Sequence, residues 1–467
     1  MKMTFGLIVA NRGFFPDELA MLGRKDMLEV LKKAGHNIIT LSLDDTKYGS
    51  VETYSDAKIC AELFKKNADK IDGIIVTHPN FGDERGVAVA LSLSGLNVPV
   101  LIQATPDAAD KMDIKHRRDS FCGKISTCNN LIQHGIKFTL TSNHCVDPKS
   151  SEFKSDLEMF SKVSRIVKGF KNIRVGAIGA RTGAFDTVRY SEKILENNGI
   201  SVQVIDLSEI FGKAGRLTDN DLKVKAKLSE IKDYINTSSV SSGALLKMAK
   251  FGLVVDGWIK ENELVGTAIQ CWTSMEEYFG VVPCSIMSMM SNSLVPSACE
   301  VDITGLLSMY ALQLASETPS AILDWNNNYG DDPDACMLFH CSNVPKSFFK
   351  ECRMDFQEII AGSVGKENTY GTCVGRFKEA PFTYLKIQTD DFTGQLKGYT
   401  GEGNFTNDKP DSFGGYGVAK IGRLQELMKY ICSNGLEHHV AANMSSDADA
   451  VCEALSNYKG WKIYKHR

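Results

Sequence analysis

The chain has 467 residues, of which 43% are hydrophobic and 24% charged, so it is long and apolar enough to fold into two or three globular domains. Its formal net charge of −4, from 53 basic and 57 acidic residues, provides no cationic excess for a phosphate backbone or an anionic bilayer. We therefore expect neither a nucleic acid nor a membrane as a partner.

The cysteine pattern and the N-terminus indicate the compartment. The thirteen cysteines are scattered and include no CxxC pair, which disfavours a secreted disulfide framework, a structural zinc site and a redox dithiol. The apolar run in MKMTFGLIVANRGFF is too short for a signal peptide, and no apolar stretch approaches the roughly 20 residues that span a bilayer. The sequence predicts a soluble, cytoplasmic protein.

The first part of the chain alternates apolar β-rich runs with helical patterns. Strands are predicted at 5–10, 37–43, 73–78 and 98–104, with helices from about Asp17, at 57–66 and at 85–93, followed by an irregular segment at 105–150. This alternation predicts a parallel sheet covered by helices, which is a Rossmann-like α/β domain over residues 1–170.

The pattern then starts again and later changes. A helix is predicted from about Ser155, followed by strands at 173–180 and 200–207 with a helix over Asp186–Asn197 between them. Long helices follow between 218 and 263. These elements predict a second Rossmann-like domain over 171–315. From 316 to 467 the sequence is turn-rich around Trp325–Pro333, with strand-like runs CMLFHC, FTYLKIQT and LKGYTGEG, and predicts a mostly β, barrel-like C-terminal domain.

The glycine-rich segment GAIGARTGAF at 176–185 follows a predicted strand, where a dinucleotide loop would lie. Its spacing is GxxGxxxG and not GxGxxG, and the chain has no GxxxxGK[ST] motif. We interpret it as a tight strand-to-helix turn, so a nucleotide cofactor is not predicted.

Two carboxylates and a histidine pair are the candidates for chemistry. Glu300 lies just before an apolar helical pattern, where Glu300 and Asp302 can simply stabilise the helix N-terminus through the macrodipole and capping. Asp324 follows an apolar run that is expected to end a strand, where it can simply open a turn. His438 and His439 are adjacent in a chain with only nine histidines, which favours a metal-binding role and leaves a surface pair as the alternative. Together, two carboxylates and an imidazole suit Mn²⁺ or a similar divalent cation.

At these residues the sequence resembles the L-fucose isomerase and L-arabinose isomerase family. The resemblance extends over the whole chain, through NRGFFP at 11–16, DSFCG at 119–123, AFDTVRYSE at 184–192, Asp324–Trp325, FHC at 339–341 and the histidine pair. Its most specific part is the interval of 24 positions between Glu300 and Asp324, followed by a histidine near the C-terminus.

The resemblance implies a metal-dependent aldose–ketose isomerase (a ketol isomerase, hence an intramolecular oxidoreductase) with two Rossmann-like domains and a C-terminal β domain. It implies Glu300, Asp324 and His439 as ligands of Mn²⁺ or another divalent cation, and Glu300 and Asp324 as the acid/base pair. His340, His438, Arg12 and Gln270 are expected substrate contacts. His340 is also a candidate ligand, His438 is the alternative to His439, and Arg12 has a structural alternative as a turn arginine. The family also implies a homo-oligomer, such as a hexamer, with active sites between subunits.

The expected reaction passes through a cis-enediol of the open-chain sugar, with a hydride shift as the open alternative. The substrate can be a neutral sugar or an anionic, for example sulfonated, hexose, because Arg12, Arg117, Arg118, Arg181 and Arg189 could pair with an anion. A non-catalytic sugar-binding protein is the alternative from a different class, since such proteins also contain two tandem α/β domains.

Overall fold

The structure is a computed structural model that describes residues 2–467. It forms two compact units, one of residues 2–168 with 453–460 and the other of residues 169–452 with 461–467. The second unit contains two sheets, so the predicted domain boundaries near 170 and 315 stay a prediction. No helix within residues 2–467 is long and apolar enough to cross a membrane.

The first unit is a parallel α/β sheet, as predicted. Buried apolar side chains on both faces of its central strands explain why helices cover it on both sides. The strands run in the order β2-β1-β3-β4-β5, and all pair in parallel. They are β1 (Thr4–Val9), β2 (Asn37–Thr40), β3 (Gly73–His78), β4 (Val100–Ala104) and β5 (Thr139–Leu140). The helices are α1 (Asp17–Lys33), α2 (Tyr54–Lys65), α3 (Glu84–Ser94), α4 (Ser120–Gln133) and α5 (Ser151–Gly169).

The second unit begins with another parallel sheet, in the order β7-β6-β8-β9, which confirms the predicted second α/β sheet. Its strands are β6 (Ile173–Ile178), β7 (Ile200–Ile205), β8 (Thr267–Ile269) and β9 (Ser297–Cys299). The helices are α6 (Glu192–Asn197), α7 (Leu207–Gly215), α8 (Leu222–Tyr234), α9 (Ser242–Glu261), α10 (Cys284–Asn292) and α11 (Ile303–Ser316).

The rest of the second unit is a mostly antiparallel sheet of nine strands in the order β12-β13-β16-β11-β10-β17-β14-β15-β18. An additional pairing of β15 with β16 closes β16, β11, β10, β17, β14 and β15 into a ring, in agreement with the predicted barrel-like domain. The strands are β10 (Ser320–Asn328), β11 (Ala335–His340), β12 (Phe349–Phe356), β13 (Tyr370–Phe377), β14 (Ala380–Asp390), β15 (Gln395–Phe405), β16 (Gly415–Lys420), β17 (His439–Asn443) and β18 (Lys462–Lys465). The short helices are α12 (Glu358–Val364), α13 (Leu424–Ser433) and α14 (Ala448–Cys452).

Helix α11 connects the parallel sheet to the barrel. It is apolar almost all round and buried along nearly its whole length, as expected for a helix enclosed by other elements. It packs against β10, β14 and β17 of the barrel, and its N-terminus follows directly on β9. The residues just before α11 therefore lie where the parallel sheet meets the barrel.

Three local predictions were wrong. The segment at 105–150 is not wholly irregular, because it contains α4, whose buried face has few apolar side chains to mark it. The predicted helix over Asp186–Asn197 begins only at Glu192, because Ser191 caps it and residues 186–188 form a separate 3₁₀ turn. Asp324 does not end its strand, since β10 continues to Asn328 through pairing with β11.

Candidate active site

Glu300 and Asp302 follow strand β9 and have different roles. Asp302 caps α11, its Oδ1 accepting the Gly305 N–H at 2.6 Å and the Thr304 hydroxyl at 3.0 Å, which confirms the expected acidic helix start. Glu300 lies outside the helix. Glu300 and Val301 both have left-handed backbone, with φ of 56° and 58°, a strained conformation for side-chain-bearing residues that is typical of functional sites.

The three predicted metal ligands lie together. Asp324 and His439 are directly paired across β10 and β17, which places their side chains on the same face of the sheet. The His439 Nε2 lies 2.9 Å from Glu300 Oε2 and 3.5 Å from Asp324 Oδ1. Glu300 and His439 are 3% and 1% exposed, whereas Asp324 is 24% exposed and forms the more open side of the site.

Two further histidines approach the same point. His340 ends β11, and its nearest ligand atom lies within 4.8 Å of those of Glu300 and His439. His438 Nε2 lies 3.5 Å from Asp324 Oδ1, and this side chain is 39% exposed. The structure thus brings His340 to the buried side of the site and His438 to its open side.

Buried charges hold His439 in place. Its Nδ1 lies 2.9 Å from Asp302 Oδ2, so a proton on Nδ1 is donated to Asp302 and the Nε2 lone pair points towards Glu300 and Asp324. Lys386 Nζ lies 2.9 Å from the same Asp302 oxygen and 2.5 Å from Glu437 Oε2, and its side chain is fully buried. This set is a positioning network for one imidazole.

The electrostatics follow from this geometry. Burial opposes ionisation of Asp302, but Lys386 and His439 hold the pKa of its carboxyl far below the usual value, so Asp302 is a permanent anion. Burial opposes protonation of His439, yet its hydrogen bond to Asp302 and the negative charges of Glu300 and Asp302 raise its pKa well above the usual value. Burial raises the pKa of Asp324. The site therefore attracts positive charge to the point between Glu300, Asp324 and His439.

These residues fit a divalent cation. Within residues 2–467, Glu300 Oε2 and Asp324 Oδ1 are buried oxygens that accept no hydrogen bond, although both face His439. Carboxylate oxygens and an imidazole oriented by a carboxylate are the donor set expected for Mn²⁺ or a similar ion. Two sets of possible ligand atoms cluster here, one of Glu300, His340 and His439 and one of Asp324, His438 and His439.

The other predicted contacts are engaged in structural interactions. Arg12 belongs to the first unit, where it pairs with Glu84, donates to the Gly82 carbonyl and lies 4.4 Å from the centre of the Phe81 ring. The Gln270 side chain accepts the Ala180 N–H and donates to the Trp272 carbonyl and to Ser274. The substrate roles of Arg12 and Gln270 stay predictions.

The loop after β6 covers part of the site. The Phe185 ring lies 5.4 Å from the His438 ring and 6.0 Å from the His439 ring. Arg181 and Arg189 flank this loop and line a cavity of about 830 Å³ that also contains Lys397 and Glu437. Arg117 and Arg118, by contrast, lie in the first unit and bond to Asp119 and to the Pro79 carbonyl.

Sequence reasoning missed Lys386 and Glu437 and saw Asp302 only as a helix cap. The one available signal was the lysine inside the apolar run FTYLKIQT, since a lysine in a fully buried strand needs an anionic partner. That partner is far away in the sequence and becomes visible only in the fold.

Two family models match the chain. Residues 6–171 match the N-terminal domain of fucose/sulfoquinovose isomerases, and residues 338–466 match the C-terminal domain of L-fucose isomerases. Sulfoquinovose isomerases of Priestia aryabhattai and Priestia megaterium are 23% identical over 334 residues, which cover 71% of each chain. The sulfoquinovose isomerase of Alkalicoccus urumqiensis is 22% identical over 60% of this chain and 61% of its own. A periplasmic solute-binding protein of Actinobacillus succinogenes, solved with D-allose, aligns with 68% of this chain and 93% of its own at 11% identity, but the TM-score of 0.17 is too low to support an argument.

Proposed function

The chain belongs to the L-fucose isomerase-like family of sugar isomerases, which are intramolecular oxidoreductases, and we propose that it interconverts the open-chain aldose and ketose forms of a sulfonated hexose with a divalent cation at Glu300, Asp324 and His439. The sulfonated substrate is suggested by the relatives named sulfoquinovose isomerase. Mn²⁺ is the cation we expect, with His340 as a further ligand.

One observation carries the proposal. Two buried carboxylate oxygens converge on the single nitrogen of His439 that is not bonded to Asp302, at 2.9 and 3.5 Å. The idealised cost of moving an ionised carboxylate into a protein interior is roughly 20 kcal/mol, and relaxation reduces it to several kcal/mol per group. Oxygens left without a cation or a hydrogen-bond donor would carry this cost. A bound divalent cation satisfies all three groups.

When bound, the cation supplies Lewis-acid polarisation of the sugar carbonyl and its neighbouring hydroxyl. Asp324, on the open side of the site, removes the proton from the carbon next to the carbonyl. Glu300 serves as the second acid/base group. A proton is then returned to the adjacent carbon of the cis-enediol, which completes the isomerisation.

The sulfonate is the second part of the proposal. A sulfonate is a permanent anion that accepts hydrogen bonds in several directions, and a guanidinium is its best protein partner. Arg181 and Arg189 flank the loop whose Phe185 packs on the histidine pair, and both line the same cavity. Arg181 is held by Asp186 at 3.1 Å and is only 31% exposed, so it is oriented before substrate arrives.

The test combines metal content with turnover of sulfoquinovose. Glu300→Gln, Asp324→Asn and His439→Gln should each abolish turnover and lower bound Mn²⁺, whereas the exposed control Glu261→Gln should change neither. A variant of any of the three that keeps the wild-type rate contradicts its assigned role. Incorporation of solvent deuterium into the product supports the enediol route, and repeated absence of incorporation supports a hydride shift.

A further inference from the structure

A cluster of buried thiols lies on the far side of Glu300 from His439. Cys271 follows β8 and Cys299 ends β9, and because these strands are parallel neighbours their sulfur atoms lie 2.8 Å apart. Cys271 Sγ also lies 3.9 Å from Glu300 Oε1. The two thiols and this carboxylate oxygen all lie within 4.8 Å of one another, and all three residues are buried.

More sulfur and a second carboxylate surround this group. Cys341 contacts both Cys299 and Cys284, so four buried cysteines form a continuous cluster. Glu276 is 1% exposed and close enough to interact electrostatically with Cys271 and Cys341. Over the part of the chain that the structure describes, both of its carboxyl oxygens are buried without a hydrogen-bond partner. A buried carboxylate in this state indicates a missing donor or cation.

The nearest basic groups do not serve these atoms. His439 is directed to Asp302 and to Glu300 Oε2, and His340 Nδ1 faces Cys341 at 3.6 Å. Within residues 2–467, neither histidine forms a hydrogen bond or an ion pair with Cys271 or Glu276. Glu300 thus presents one oxygen to the imidazole side and the other to the sulfur side.

We propose that Cys271, Cys299 and Glu300 Oε1 form a second metal site, selective for soft cations of the class of Zn²⁺, Cd²⁺ and Cu⁺. Sulfur donors select such ions, whereas the oxygen and nitrogen donors around His439 Nε2 suit Mn²⁺. Binding requires the two sulfur atoms to move from 2.8 Å to roughly 3.8 Å apart, the spacing of two thiolates about 2.3 Å from one tetrahedral ion. Cys341 and Glu276 are the neighbouring groups that would complete the coordination. Binding replaces the thiol protons, which pass to solvent, and involves no oxidation.

The shared carboxylate couples the two sites. A soft cation on Oε1 withdraws negative charge from Oε2, so it lowers the affinity of the opposite site for Mn²⁺ and, on the proposed function, inhibits the isomerase. Coupling is reciprocal, so bound Mn²⁺ lowers the affinity for the soft ion by the same factor. Metal binding at the sulfur site itself does not depend on the proposed function.

The experiment is a titration of the reduced, metal-free full-length protein with CdCl₂, followed by the ultraviolet charge-transfer band of cadmium thiolates. We expect one tight equivalent in the wild type, and a loss of affinity of more than about tenfold in Cys271→Ala and Cys299→Ala, since even outer partners of a ligand contribute that much. Cys336→Ala is the matched control, because Cys336 is equally buried but lies in the barrel wall. This control should bind like the wild type.

Cadmium NMR of the wild type gives a second readout that does not depend on the variants folding. A resonance in the range of mixed sulfur and oxygen ligation supports the site. Absence of a tight equivalent overturns the proposal, as does a band that persists in Cys271→Ala, which would assign it to exposed thiols such as Cys122 and Cys432. Loss of two free thiols without cadmium uptake would identify a Cys271–Cys299 disulfide and also overturn it.

Discussion

Replacing Asp302 with asparagine should weaken metal binding without touching a metal ligand. Asparagine keeps an oxygen to cap α11 but removes the negative charge that orients His439 at 2.9 Å and pairs with Lys386. The imidazole then loses both its fixed tautomer and the basicity that the carboxylate confers on Nε2. We expect lower Mn²⁺ affinity and lower turnover in parallel.

The magnitude follows from the same contacts. Losing the outer carboxylate of a metal-bound histidine typically lowers metal affinity by about 10–100-fold, or about 1.4–2.8 kcal/mol. Folding stability should fall as well, by about 3–5 kcal/mol, because Lys386 is left as a fully buried cation with only Glu437 beside it. The triple variant Asp302→Asn/Lys386→Met/Glu437→Gln removes all three buried charges and should recover stability while Mn²⁺ affinity stays low.

The assay is calorimetric titration of the metal-free protein with MnCl₂, together with thermal unfolding of each variant. Asp206→Asn is the matched control, because Asp206 caps a different helix, α7, by accepting the Ser208 N–H. Unchanged Mn²⁺ affinity in folded Asp302→Asn would refute the positioning role, and so would recovery of affinity together with stability in the triple variant.

Three further outcomes are expected. Arg181→Gln should lower kcat/KM for a sulfonated sugar by at least about tenfold, because a charged hydrogen bond worth about 1.5–3 kcal/mol is lost. The control Arg216→Gln should leave kcat/KM unchanged. An equal loss of kcat/KM on neutral sugars in Arg181→Gln would contradict sulfonate recognition. His340→Ala should lower Mn²⁺ affinity in a titration, and an unaltered affinity would remove His340 from the ligand set. In the first unit, burial lowers the pKa of His78 to about 3, so the folded state favours the neutral ring. The free energy of unfolding should therefore fall by about 1.4 kcal/mol per pH unit as the pH drops below about 6.5. Denaturant unfolding of the wild type at pH 7 and pH 5 should show this fall, and the same fall in His78→Gln would refute the assignment.

The layered architecture could be predicted because it depends on local patterns. Alternating apolar strands and amphipathic helices in the first 300 residues indicate parallel sheets, and the turn-rich remainder indicates antiparallel β structure. The prediction missed α4 in the polar segment at 105–150, where a helix begins at Ser120 with a weak apolar pattern. Pattern reasoning fails where few apolar side chains mark the buried face.

The extent of β10 beyond Asp324 depends on distant partners. The strand continues because β11 pairs with it and because Trp325 Nε1 donates to the Tyr399 hydroxyl at 2.7 Å. Neither interaction is visible in the polar sequence WNNNYG, which on its own favours a turn. Non-local pairing decided the strand end.

The candidate site was predictable only in part. Glu300, Asp324 and His439 were suggested by residue type and by family resemblance, and the structure places them together, although their roles as ligands stay a prediction. The network of Asp302, Lys386 and Glu437 and the thiol cluster join residues that are far apart in the sequence. No spacing motif records such contacts, so they emerge only from the fold.

The most direct measurement follows sulfoquinovose by NMR with the chelator-treated protein, before and after Mn²⁺ is restored. We predict no interconversion in the metal-free protein and formation of the corresponding ketose once about one equivalent of Mn²⁺ per chain is bound, with Glu300→Gln and His439→Gln inactive at the same metal concentration. Full turnover by the metal-free wild type, or Mn²⁺-restored turnover in His439→Gln, would contradict a cation held by Glu300, Asp324 and His439.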